Sequence, residues 1–256
     1  DVFTTPYFGG GGQFPGAPSH YMGTPIPPTD ALGFYLPFHF FHPVWWGVYL
    51  TVEGVLWLAR HIRRKAPHLP THKCLTASKM FIYNHEVFHH NVECYATRLE
   101  ITHRKPLYRT GFVSLYGQTY GTDRCLEEAL ANAWGYHKVR SSNNFPKRGG
   151  SDHQDVCDAL RRLIQNSPAG YRMAKNYLGK NQFYSARDDL AELYHAHSLS
   201  SVPTLNAKVW ASFPYAFSGI SRITSRVNYI IHQHSPLAIR SRLGRRYLSY
   251  KELKKR

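Results

Sequence analysis

His85-Glu86-Val87-Phe88-His89 carries the residue types that metal-assisted hydrolysis needs. On an α-helix, positions i and i+4 stand one above the other on one face. Two imidazoles placed that way can hold a single zinc ion. The intervening glutamate projects toward nearly the same side and can take a proton from water at the metal. A pattern with three fixed positions recurs by chance, the more so in a chain with 16 histidines, so the surrounding sequence decides.

The elements that must position this motif are legible around it. No Pro or Gly interrupts Leu75 to Lys105, and Pro106 ends the run. Met80, Phe81, Phe88, Val92, Tyr95, Ala96 and Leu99 recur at three- and four-residue steps, which predicts a buried helix. His85, His89 and Glu93 fall on one stripe of it. Ionisable groups among Phe, Ile and Val need partners, and a metal is one way to supply them. His90 points about 100° away from His89, outside the stripe.

A zinc site needs a further protein ligand from elsewhere. Thr122 or Asp123 can cap a second helix running to about Val139, and within it Glu128-Ala129-Leu130-Ala131-Asn132 reads E-x-x-A-N. With both motifs, the stretch from about Leu75 to Val139 resembles the gluzincin metallopeptidases. In that family a second helix supplies a Glu ligand, and a polar residue four positions later, often Asp, hydrogen-bonds a zinc-bound His. Asn132 departs from Asp and gives less charge support to the imidazole. Glu127 is a rival third ligand, but it would leave Ala131 at the supporting position. Glu93, a further turn from His89, overshoots a metal held between His85 and His89; it is expected to support a ligand or to serve as a structural partner.

The resemblance implies zinc held by His85, His89 and Glu128, with Glu86 as the general base that activates water against a peptide carbonyl, and a protein or peptide substrate. It also implies an oxyanion donor. Tyr116, Tyr120, His137, Tyr229, His232 and His234 are available, and Asn228-Tyr229-Ile230-Ile231-His232-Gln233-His234 is favoured because gluzincins commonly draw this role from a downstream segment. The implied fold is α+β, a mainly helical zincin-like domain with a small β-sheet. Gly111 to Tyr116 is the expected edge strand beside the substrate.

Three regions follow from composition. Residues 1–30 hold four consecutive glycines and six prolines and read as an irregular arm. Residues 31–235 are expected to form the domain; 43% apolar and 14% aromatic residues suffice for a core and exclude a generic disordered chain. Residues 236–256 form a basic tail. Net charge is +16, and Arg240, Arg242, Arg245, Arg246, Lys254 and Lys255 suit a phosphate backbone or an anionic surface. That tail motivates an alternative: a nucleic-acid-associated protein, or a toxin or effector, using the same scaffold. Pro43 to Ala59 reads as a buried helix, too short and too interrupted to span a bilayer. Further helices are expected at about 152–165, 169–178 and 185–198, and a strand or hairpin within 220–234. The widely spaced Cys74, Cys94, Cys125 and Cys157 read as buried thiols in a reducing, cytoplasmic compartment.

Overall fold

In the computed structural model, residues 32–41, 46–142 and 150–198 are described, with the backbones of two strands at 227–231 and 247–249. The first elements are strand β1 (Gly33–Leu36), the short helix α1 (Phe38–Phe41) and strand β2 (Gly47–Thr51). The segment expected to be one helix from Pro43 therefore starts as a strand. Val48, Tyr49, Leu50 and Thr51 suit a pleated surface, and all are buried there. Thr51 then changes the chain's course: its hydroxyl accepts from Gly54 N at 3.0 Å and caps helix α2 (Val52–Lys65). Val55, Leu58, Ala59 and Ile62, at three- and four-residue steps, form the buried face of α2.

A short turn through Pro67 and Pro70 leads into α3 (Thr71–His103), which holds the H-E-x-x-H motif at its middle. This helix of 33 residues is about 50 Å long. It ends where Arg104 turns left-handed, at φ 54°, and returns its N–H to Glu100 O. A π-helical turn (Tyr108–Phe112) and α4 (Val113–Thr119) follow. The strand expected at Gly111–Tyr116 is thus helical, with Phe112, Val113 and Tyr116 buried.

Helix α5 (Leu126–Arg140) crosses α3 at short range. Ala129, Ala131 and Ala133 are fully buried, and a Cβ at Gly135 would sit 2.7 Å from Phe81 O, so only glycine admits this approach. The expected cap at Thr122 or Asp123 is not used. The N-cap position is Cys125, and Asp123 instead accepts from Gly170 N and pairs with Arg172. Helix α6 (Ser151–Gln165), a 3₁₀ turn (Tyr171–Tyr177) and α7 (Lys180–Ser198) complete the helical layer close to the expected positions.

The sheet has order β1-β2-β3-β4, where β3 is Val227–Ile231 and β4 is Tyr247–Ser249. β1 pairs antiparallel with β2, Phe34 opposite Tyr49, and β3 and β4 add in parallel. The chain is α+β and mainly helical, with a small sheet. No described helix is long and apolar enough to cross a membrane. The four cysteines are free and buried.

Glu93 fastens the β1–α1 corner to α3. Its carboxylate accepts from Tyr35 OH, from Phe38 N at 3.0 Å and from His39 N at 2.8 Å, and it binds His39 Nδ1 at 2.6 Å. Glu100 holds the other ring nitrogen at 2.8 Å. Burial opposes the charge on His39, but hydrogen bonds to Glu100 and Glu93 outweigh it and raise the pKa to about 9. A folded pKa above the unfolded value gives stability that is complete below the unfolded pKa, about 6.5, and lost as pH rises through about 9. The midpoint of urea unfolding is therefore expected to fall from pH 6.5 to 9.5, and His39→Gln to flatten that fall.

Candidate metal centre

One turn of α3 and the first turn of α5 bring three ligand atoms together. His85 Nε2 lies 3.3 Å from His89 Nε2 and 3.3 Å from Glu128 Oε2, and His89 Nε2 lies 3.6 Å from the same oxygen. A tetrahedral ion with bonds of about 2.0–2.1 Å needs ligand atoms about 3.3–3.4 Å apart. Among the described residues, His85, His89 and Glu128 are the group that could hold a metal, and all three are buried.

The hydrogen bonds behind these atoms set their protonation. His85 Nδ1 meets Asn132 Oδ1 at 2.9 Å, and Asn132 Nδ2 donates to Tyr171 O at 3.3 Å, which fixes the amide's orientation. Nδ1 is therefore the protonated nitrogen, and Nε2 turns a lone pair inward. His89 Nδ1 donates to Glu127 Oε1 at 2.6 Å, with the same result. Tyr116 OH donates to Glu128 Oε1, while Oε2, facing both imidazoles, is buried with no hydrogen-bond partner. Three acceptor atoms converging without a donor need a cation between them.

Electrostatics point the same way. Burial alone would raise the Glu128 carboxyl, but the His89 and His85 imidazoles override it and hold it well below the usual range. Burial alone would lower His89, but Glu128 and Glu127 override it and hold it well above. The carboxylates draw positive charge to the point where the three ligand atoms meet. The donor set of two imidazoles and a carboxylate suits Zn²⁺.

Glu86 stands beside this group. Its side chain is buried, and its Oε2 has no hydrogen-bond partner. Burial raises its carboxyl above the ordinary value, with His85 and His89 opposing and Glu128 adding. Glu86 and His89 line a cavity of about 60 Å³ walled by Tyr35, Tyr108, Phe112, Val113 and Tyr116. A metal centre, a free carboxylate and an apolar-walled space thus share one cleft.

The other expected residues separate clearly. Asn132 supports His85, as the second motif implies. Glu127 is not the third ligand but the support of His89, and Tyr194 OH from α7 holds its second oxygen. Glu93 binds His39 and the β1–α1 corner, the structural alternative expected of it. His90 faces Tyr35, its Nδ1 2.8 Å from the phenol oxygen. His137 Nε2 meets Tyr177 O at 3.1 Å, away from the cleft. The side chain of Tyr229 and the residues His232, His234, Arg240, Arg242, Arg245, Arg246, Lys254 and Lys255 lie outside the described residues, as does the 1–30 arm.

Sequence reasoning missed Tyr194 and the use of Glu127. Both partners are distant in the chain, 67 residues apart, and no local spacing connects them. Comparison with known proteins found no matching family model, curated protein or solved structure.

Proposed function

We propose that this chain is a zinc-dependent metallopeptidase of gluzincin type. The observation that carries the proposal is the convergence of His85 Nε2, His89 Nε2 and Glu128 Oε2 beside the unpaired, buried Glu86. Zinc bound there supplies Lewis acidity, which polarises a carbonyl and makes water acidic. Every other part falls to the protein. Asn132 and Glu127 orient the two imidazoles, and Tyr116 holds one oxygen of Glu128 so that the other stays with the ligands. Glu86 receives the proton of the attacking water at Oε2 and returns it to the leaving amine. The apolar walls of the cavity exclude bulk water and accept a substrate side chain. The four free, buried thiols favour a reducing compartment, consistent with a cytoplasmic protein.

The test is metal content with peptide hydrolysis. The purified chain is expected to carry stoichiometric zinc, to cleave an unfolded protein such as casein, and to lose both in the variant His85→Ala. Cleavage that survives removal of the metal by a chelator would overturn the proposal.

A further inference from the structure

We propose that His103 on α3 and His195 on α7 form a second transition-metal site, separate from the His85–His89 centre, that clamps α7 against α3. The site does not depend on the peptidase reading.

His103 Nε2, His195 Nε2 and Ser198 Oγ are all buried without a hydrogen-bond partner. His195 is only 2% exposed. A buried imidazole nitrogen without a partner carries a desolvation cost that a ligand would remove. The two rings meet edge to face, centroids 6.2 Å apart and planes at 73°. The His85–His89 pair has the same arrangement, at 5.1 Å and 68°. With a metal–nitrogen bond of about 2.0–2.1 Å, each ring centre lies about 3.2 Å from the ion, so two rings can share one up to about 6.3 Å apart. The His103–His195 pair is within that reach.

The surroundings favour a cation. His103 is the last residue of α3, and His195 and Ser198 belong to the last turn of α7. Helix C-termini carry partial negative charge. A histidine at such an end commonly bonds the terminal carbonyls as a cation, yet neither Nε2 does so here. Burial, and then the nearby His103, lowers the pKa of His195, which favours the neutral, ligating form. Ser198 lies three residues beyond His195, on the same face, and packs so closely on Gly111 of the π-helical turn that a Cβ there would displace its hydroxyl. Two imidazole nitrogens select an ion of the Zn²⁺, Cu²⁺ or Ni²⁺ class, with water completing its coordination. Tyr194, next to His195, holds Glu127, the support of His89. An ion at His195 therefore fixes the helix that braces the first centre.

The experiment counts metal on the full chain, stripped with chelator, reloaded with Zn²⁺ and passed through gel filtration. The proposal expects two equivalents on the wild type, one on His103→Gln/His195→Gln and one on His85→Ala/His89→Ala. An unchanged count in His103→Gln/His195→Gln overturns it. A count lowered by that pair but not by His85→Ala/His89→Ala keeps this site and overturns the peptidase centre instead. If the glutamine variant does not fold, Cu²⁺ bound to His85→Ala/His89→Ala is examined by electron paramagnetic resonance. Hyperfine coupling to imidazole nitrogen that Ser198→Ala leaves intact is expected, and its absence overturns the proposal.

Discussion

Glu86→Gln is expected to lower peptide hydrolysis by about 10²–10⁴-fold while leaving the zinc content unchanged. The two side chains have the same shape, so the packing around a residue only 3% exposed is preserved. The three ligand atoms belong to other residues, and none is hydrogen-bonded to Glu86. What disappears is the proton acceptor beside the metal centre, since an amide cannot take up and return a proton at neutral pH. The same substitution has a stability consequence of opposite sign. Burial raises the Glu86 carboxyl above its unfolded value. Its ionised form is therefore costly in the folded, metal-free chain at pH above the unfolded pKa, and that cost fades as pH falls below it. The metal-free Glu86→Gln chain is expected to melt at a higher temperature than the wild type at pH 7, and the two are expected to converge near pH 4. Hydrolysis within tenfold of wild type, with zinc still bound, would remove Glu86 from the reaction.

The parts of this centre that were legible in sequence are those set by one helix's own geometry. His85 and His89 share a face because α3 is continuous, and its continuity follows from the missing Pro and Gly between residues 75 and 105. Glu128 and Asn132 were legible because their four-residue step repeats on α5 and because small Ala129, Ala131 and Ala133 advertise a close crossing. Local patterning failed where a tertiary neighbour chose between two conformations. Val48 to Thr51 are as apolar as a buried helix would be, and pairing with Gly33–Leu36 makes them a strand. Gly111 to Tyr116 has strand-like residues but is helical, its apolar side chains packed onto the long helices; Phe112 stacks on Tyr194 with ring centroids 4.0 Å apart. Glu93 sits on the metal-binding stripe by spacing, yet its partners come from His39 and Tyr35, more than fifty residues earlier. Periodicity assigns a face, and only the packing of other elements assigns that face a use.

Glu127→Gln is expected to weaken zinc binding by about 10–100-fold, more than any change at Asn132 that keeps a hydrogen-bond acceptor. The reason lies in how the two supports divide the work. Gluzincins often place an aspartate where this chain has Asn132, so charge support of the ligand at that position is reduced. Asn132 is used at both ends: its oxygen faces His85 Nδ1 and its nitrogen donates to Tyr171 O. Aspartate can do only the first, and Asn132→Asp would set a carboxylate oxygen against a buried carbonyl, at a cost of about 1–3 kcal/mol. Negative charge comes instead through Glu127, whose contact with His89 Nδ1, at 2.6 Å, has the length of a charge-assisted bond. Tyr194 ties down its other oxygen from α7. Competition titration with a chromophoric zinc chelator should therefore rank the losses as Glu127→Gln above Tyr194→Phe, with Asn132→Asp failing to gain affinity over wild type. A tighter site in Asn132→Asp would show that the missing carboxylate, rather than the Tyr171 contact, governs this side of the centre.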